Sequence, residues 1–339
     1  MRHIIFGGDG FVGRHLAPRL LADGHEVIVA DIVKSDLAHY GERDGKVRFV
    51  ACDVTDADAV QAVGIKADDM VYNLSAKMLS PLQVRAKRHD FFFPVNYHGT
   101  VHIIEAMARA DASKLVHFTT DMIYGHTVTM PMTEEHPVAP LGEYGLSKLK
   151  TEELAEQWRK EGMQISLFRP RLIIGPGRLG ILEKLFKLID WNLPVPMIGS
   201  GKNPYQFISV FDCAEAARAA FKAGVPNEAY NLGSLNPPPV RKLLGDLIAH
   251  AGSKSLLIPT PGWAVKRTLD LFDLMNMPIM DPEQYLIADE ECVLDVSKGE
   301  RELGWIPQYR DEDMLIAAYS EYHAKKTGAA HGAVHAPAE

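Results

Sequence analysis

The chain has 339 residues, 47% of them hydrophobic and 24% charged, which is the balance of a globular protein with one large or two modest domains. Its 36 basic and 44 acidic residues leave a formal net charge of -8, so neither a nucleic acid nor an anionic membrane is indicated as partner, and a small molecule is the expected ligand. Cys52, Cys213 and Cys292 lie far apart without paired spacing, which suggests neither a disulfide framework nor a zinc site.

The first predicted element is a strand at "HIIF", and it begins so near Met1 that no signal peptide is expected before it. No apolar stretch approaches the roughly 18 residues of a membrane span, and the expected localisation is cytoplasmic. Gly7, Gly10 and Gly13 follow, spaced by threes, before an apolar-periodic helix. Glycine weakens strands and helices alike, so the missing side chains need a reason. A phosphate held against bare backbone at a helix N-terminus supplies one.

The next strand, "EVIVAD", ends in Asp31. Strand, glycine turn, helix, strand and terminal acid together form a dinucleotide-binding pattern. Asp31 would accept hydrogen bonds from both adenosine ribose hydroxyls and repel a 2′-phosphate, which favours NAD over NADP; Lys34 softens that preference. After "VRFVAC" comes "CDVTD", where Asp53 is expected either to bond the adenine amino group beside Val54 or to cap the following helix at Ala57 to Val63.

Further apolar runs "MVYNLS", "KLVHFTT" and "ISLFRP" alternate with helical patterns, as in a parallel sheet buried on both faces. The predicted fold class is α/β, a doubly wound parallel sheet (Rossmann) over residues 1–170 with a smaller C-terminal α/β substrate domain over 171–325. Proline and glycine crowd the latter in "GPGRLG", "NLPVPMIGSGKNP" and "SLNPPPV", while 205–233 is expected to return to the main fold. Residues 326–339 read as a disordered tail; His331 and His335 offer metal ligands there, but the composition favours a solvated segment, and no metal is expected.

Two segments carry chemistry. In "EYGLSKLKTEEL", Tyr144 and Lys148 stand four apart and so share one helix face. An ammonium beside a phenol stabilises the phenolate and lowers the tyrosine pKa from near 10 toward working pH, making an acid/base. In "HFTTDMIYG", Thr120 ends a strand, where its hydroxyl can bind the same substrate oxygen.

With these motifs the chain resembles the extended short-chain dehydrogenases/reductases of the NAD-dependent epimerase/dehydratase family over roughly residues 1 to 325. The resemblance rests on "GGDGFVG", Asp31, "CDVTD", "VYNLSAK", "VNYHGT", "TTDMIYG", "EYGLSK", "FRPRLIIGPG", "FISVFDCAEA", "YNLG" and "DVSKGERELGWIP", in family order. It implies that Thr120, Tyr144 and Lys148 form a catalytic trio, Lys148 also holding the nicotinamide ribose. It implies an NAD site bordered by Gly7, Gly10, Phe11, Val12, Gly13, Asn73, Leu74 and Ser75, with Asn96 in the supporting network and Pro170 and Leu172 along the nicotinamide. It also implies a homodimer built on two helices per subunit, those of "GTVHIIEAMARA" and Tyr144. Phe6, Asp9 and Asn73 depart from the family pattern; the Asp9 charge is unwelcome near a pyrophosphate, and Arg14 is placed to offset it.

The expected substrate contacts are Met78, Asp121, Met122, Arg171 and Tyr205. Members acting on nucleotide sugars clamp the pyrophosphate with two arginines; Tyr205 stands at one of those positions, and no basic residue occurs from Leu269 to Ser297. Such a substrate is disfavoured unless Arg171, Arg178 or Lys184 substitutes. The segment "LLIPTPGWAVKRTLDLFDLMNMPIM" resembles the 3β-hydroxysteroid dehydrogenase-like branch and reads either as an apolar lid or as domain core. Met122 fills the position of the base that dehydratases use, which makes elimination the least expected reaction. The expectation is therefore hydride transfer between NAD and a secondary alcohol or ketone, with 4-epimerisation as the alternative and a silent NAD-binding sensor as a further one.

Overall fold

The computed structural model describes residues 1–33, 40, 45–180 and 182–327; Lys34, His331 and His335 lie outside the described residues. In chain order come β1 (Arg2–Phe6), α1 (Gly13–Ala22), β2 (Glu26–Asp31), β3 (Val47–Ala51), α2 (Ala57–Ala62) and β4 (Met70–Asn73). A helical stretch follows as α3 (Arg88–Phe93), a π-helical turn at Pro94–His98 and α4 (Gly99–Arg109), then β5 (Lys114–Phe118), α5 (Glu143–Lys160) and β6 (Gln164–Pro170). The remainder holds β7 (Leu172–Ile174), α6 (Leu182–Asp190), β8 (Val195–Ile198), β9 (Phe207–Ser209), α7 (Val210–Lys222), β10 (Ala229–Leu232) and α8 (Val240–His250). It closes with β11 (Leu257–Thr260), α9 (Gly262–Leu274), α10 (Pro282–Tyr285), α11 (Ser297–Leu303) and α12 (Asp311–Thr327).

Seven strands pair in parallel in the order β10-β6-β5-β4-β1-β2-β3. Side chains alternate across a strand, so an unbroken apolar strand must feed two cores. Ile5, Val27, Val29, Tyr72 and Val116 join one cluster with Leu16 and Leu20 of α1 and the alanines of α7. Ile4, Phe6, Ile28, Val71 and Leu115 join the other with Ile103, Ile104 and Met107 of α4 and Ala155 of α5. The sheet is doubly wound, and strand order reverses between β1 and β4. A crevice opens there at the carboxyl ends of the strands, where such folds hold ligands.

β10 extends the edge of the main sheet beside β6, and α7 packs against α1. β7 with β9 and β8 with β11 form two small parallel pairs beside it. Lys326 and Thr327, expected in the tail, instead close α12, where Lys326 Nζ donates to Asp190 at 2.7 Å. All three cysteines are buried and unpaired. Among the described residues no helix is long and apolar enough to cross a membrane.

Candidate active site

At the end of β1 the backbone turns tightly. Gly7 has φ +70°, and a Cβ there would lie 2.8 Å from the Ser75 nitrogen. A Cβ on Gly13 would stand 2.3 Å from the Gly8 carbonyl oxygen, so α1 approaches the turn as closely as backbone allows. No side chain caps α1; the Arg14 and His15 nitrogens instead donate to the Gly10 and Val12 carbonyls at 3.1 and 3.0 Å. Asp9 is turned aside: its carboxylate accepts from Tyr40 Oη at 3.0 Å and from Arg14 Nε at 3.3 Å. Arg14 offsets the charge as its position suggested. Tyr40, which sequence gave no reason to single out, shares the task.

Asp31 accepts from the backbone nitrogens of Asp9 at 3.0 Å and Ile32 at 2.8 Å, and burial pushes its carboxyl up despite those donors. Asp53 accepts from the Thr55 nitrogen and hydroxyl at 2.9 and 2.8 Å. The cap of α2 is Asp56, bonded to the nitrogens of Asp58 and Ala59, so the reading of Asp53 as that cap is corrected. Asp56 sits one residue before the first helical residue, where a cap belongs; Asp53 is too early.

A cavity of about 690 Å³ occupies the crevice. Gly7, Gly10, Phe11, Val12, Asp31, Asp53 and Val54 line it, with Leu74, Ser75, Pro170 and Leu172. Thr120, Tyr144 and Lys148 line the same cavity, as do Met78, Asp121, Met122 and Arg171. Gly13, Asn73 and Asn96 stand behind the wall. Asn73 donates to Thr100 at 3.0 Å and accepts from the Ser75 nitrogen at 3.1 Å, which fixes the bend after β4. Asn96, in the π-helical turn, donates to Ser147 Oγ at 3.0 Å and accepts from the Lys77 nitrogen at 2.8 Å, tying the cavity wall to α5.

Tyr205 is not part of the lining, contrary to its expected substrate contact. Its ring lies 5.5 Å from the Arg171 guanidinium and packs on Phe207. Arg171 in turn is buried and ion-paired with Asp121. The lid-or-core alternative for "GWAVKRTLDLFDL" is also narrowed: the only fully buried residue of α9 is Asp273, while Trp263 is 75% exposed and Leu271 and Leu274 are exposed. These apolar positions are not core.

Tyr144 sits in the first turn of α5, 3% exposed, with its ring edge on Phe92 and its hydroxyl 3.5 Å from Met78 Sδ. One turn on, Lys148 donates from Nζ to the Phe118 carbonyl at 2.9 Å. The electrostatics run opposite to the sequence expectation. Burial pushes the Tyr144 phenol above its ordinary range, with Glu283 and Asp121 adding to the rise while the Thr120 hydroxyl and Arg178 oppose it. Burial likewise brings Lys148 down to about 8. The lysine is turned to a carbonyl, and burial dominates the phenol and favours its protonated form.

Ile279 and Met280, which end the segment read as lid or core, line the cavity; sequence reasoning missed Leu79, Leu82 and Phe91, which also line it, and Glu283, which lies behind it. The apolar ones carry no signal that separates a wall from a core, and Glu283 lies far from its partners in sequence.

A doubly wound sheet with a bare glycine turn, an acid ending β2 and a buried Thr–Tyr–Lys set defines an NAD-dependent enzyme of the extended short-chain dehydrogenase type. The chain belongs to the NAD dependent epimerase/dehydratase family, whose model matches residues 3–233. It is 29% identical over 331 residues to the uncharacterised protein y4nG of Sinorhizobium fredii, covering 97% of this chain and 80% of the relative. It is 29% identical over 249 residues to the UDP-glucose 4-epimerase of Mycolicibacterium smegmatis, covering 69% and 77%. The crystal structure of a UDP-glucuronic acid 4-epimerase from Bacillus cereus in complex with NAD superposes with a TM-score of 0.76 at 20% identity, covering 97% and 99%.

Proposed function

We propose that the protein oxidises or reduces a largely apolar secondary alcohol or ketone, with Thr120, Tyr144 and Lys148 as its catalytic set. The observation that carries this is the apolar part of the cavity lining that the trio shares, which includes Met78, Leu79, Leu82, Phe91, Ile279 and Met280. Apolar walls with a few polar groups suit an apolar ligand held at one oxygen. The neighbouring buried cation, Arg171, is already neutralised by Asp121.

The residues present fit NAD. The turn at Gly7 to Gly13 leaves backbone where phosphates can approach, Asp31 and Val54 suit an adenosine, and Pro170, Leu172 and Lys148 suit the nicotinamide end. NAD, when bound, supplies the hydride acceptor or donor. Tyr144, protonated, is set to give its proton to the substrate oxygen in reduction and is left as phenolate; oxidation runs the reverse way and needs that phenolate to take the alcohol proton. Thr120 donates a hydrogen bond to that oxygen and fixes its position. The buried setting of all three excludes water from the reacting centre.

Epimerisation of a nucleotide sugar is the second reading. It is favoured by Arg178 and Lys184 on the lining and by the likeness to UDP-glucose 4-epimerases. A screen of UDP-sugars against hydroxysteroids and other lipophilic secondary alcohols, following NADH absorbance and sugar epimerisation together, separates the two. Net NADH from a substrate without pyrophosphate supports the proposal; epimerised UDP-sugar without net NADH overturns it. Tyr144→Phe should reduce turnover by about 10²-fold or more, the scale of a lost acid/base, with NADH affinity nearly unchanged.

The proposal extends to a homodimer. Phe93, Tyr97, Val101 and Leu146 on the α3–α4 and α5 faces are half-buried and pack against none of the core clusters. Sedimentation showing only monomer at micromolar concentration would contradict it.

A further inference from the structure

Helix α5, which carries Tyr144 and Lys148, begins without a cap of its own. Its N-cap residue is Gly142, and no local side chain satisfies the first amides. The acceptor comes from 139 residues further along the chain: Glu283 Oε1 accepts from the Tyr144 nitrogen at 2.9 Å and Oε2 from the Gly145 nitrogen at 2.8 Å. Room is made for it by glycines. A Cβ on Gly142 would stand 2.6 Å from Oε1, and one on Gly145 would stand 2.7 Å from Oε2.

Glu283 is itself firmly held. It is 2% exposed, and its nitrogen donates to Asp281 Oδ1 at 3.0 Å. Asp281 lies 3.6 Å from Arg88 Nε, and Arg88 is also ion-paired with Asp273 at the end of α9. The groups facing the Glu283 carboxyl are thus Asp281 from its own segment, Arg88 from α3 and Tyr144 with its amides from α5. The same segment looks the other way into the cavity, which Ile279, Met280 and Gln284 line.

We infer that Glu283 is a positioning residue for Tyr144: it delivers the missing cap to the catalytic helix and thereby ties the orientation of the phenol to the seating of the 279–284 wall. The inference rests on the reading of Tyr144 as the acid/base. A carboxylate at a helix N-terminus also matches the helix dipole, so the anion grips better than a neutral group. Burial beside Asp281 pushes this carboxyl up to about 8, against the pull of the two amides and Arg88. The grip should therefore strengthen as pH rises through that region.

The test uses the full chain as wild type, Glu283→Ala, Glu283→Gln and Tyr144→Phe. Hydrogen exchange is followed at the Tyr144 and Gly145 amides, NADH binding by its fluorescence, and turnover with whichever alcohol or sugar the screen above identifies. Glu283→Ala should speed exchange of both amides about tenfold and lower kcat about tenfold at little-changed KM and NADH affinity. Glu283→Gln, which keeps the shape and one acceptor, should recover most of both. Wild-type protection of these amides, corrected for intrinsic rates, should rise between pH 6.5 and 9.5, and the glutamine variant should not show that rise. Should the alanine variant not fold, the pH contrast between wild type and Glu283→Gln decides alone. Unchanged amides, pH-independent wild-type protection, or loosened amides with undiminished turnover would each overturn the inference. Undiminished turnover in Tyr144→Phe overturns instead the reading of Tyr144, and it is seen in a different variant.

Discussion

Lys148 offers a prediction in which stability and chemistry pull apart. Its ammonium is 2% exposed and bonded to one neutral carbonyl, and burial brings its pKa from 10.5 down to about 8. At about 1.4 kcal/mol per pH unit, that depression is a folding cost of about 3 kcal/mol at neutral pH. The sign follows from proton counting: between about pH 8 and 10.5 the unfolded chain binds the proton that the folded protein has released, so stability rises with pH. The stability is present above the unfolded value and lost as pH falls through the folded one. Lys148→Met removes this titration but leaves the Phe118 carbonyl without its donor, a loss of about 1–3 kcal/mol.

The variant should therefore be more stable than wild type by about 1 kcal/mol at pH 7 and less stable by about 1–2 kcal/mol near pH 10. Urea unfolding of cofactor-free protein at the two pH values measures both. The change in the difference, about 2–3 kcal/mol, does not depend on the carbonyl term, because that term is common to both conditions. A difference between the two proteins that stays constant from pH 7 to 10 would refute the reasoning. The same variant should have lost turnover, so the ammonium would be a feature kept for chemistry at the expense of stability.

Three further outcomes are expected. Asp31→Ala should shrink the preference for NADH over NADPH at least tenfold in fluorescence titration if Asp31, the acid that ends β2 on the cavity lining, meets the adenosine ribose as proposed; equal affinities in the wild type would contradict the assignment. Asp121→Asn should cost about 3–5 kcal/mol in urea unfolding because it leaves the Arg171 charge buried without its partner, whereas the double change Asp121→Leu with Arg171→Met should recover most of that loss. Arg169→Leu should cost about as much, because Glu152, which accepts from Arg169 Nη2 at 2.6 Å and from Thr119 Oγ1 at 2.7 Å, is buried too.

The parallel sheet and its glycine turn were legible because their signals are local. The unbroken apolar run of "EVIVAD", buried on both faces, glycines placed where strand meets helix, and an acid at a strand end each follow from residues within one turn of structure. The face shared by Tyr144 and Lys148 was legible for the same reason. What the two side chains do to each other was not. Sequence spacing brings them near, but their proton affinities depend on how much water the rest of the fold removes, and desolvation reverses the simple pairwise argument.

The second half of the site resisted reading because its parts are assembled across long separations. Arg171 meets Asp121 across 50 residues, Arg169 meets Glu152 across 17, and Glu283 meets Tyr144 across 139. In each case the sequence shows only a charged residue with no local partner, a pattern shared with any solvated surface. The glycine at the start of α5 held the missing clue. Gly142 has no side chain to accept from the first amides of α5, so an acceptor for them has to come from elsewhere. That acceptor lies beside the wall residues Ile279 and Met280, so the cavity and the catalytic helix are braced by one short segment. Changes that loosen this segment should reach Tyr144 through its backbone before they reach the NAD end of the cavity, whose glycine turn and Asp31 are held by β1, β2 and α1.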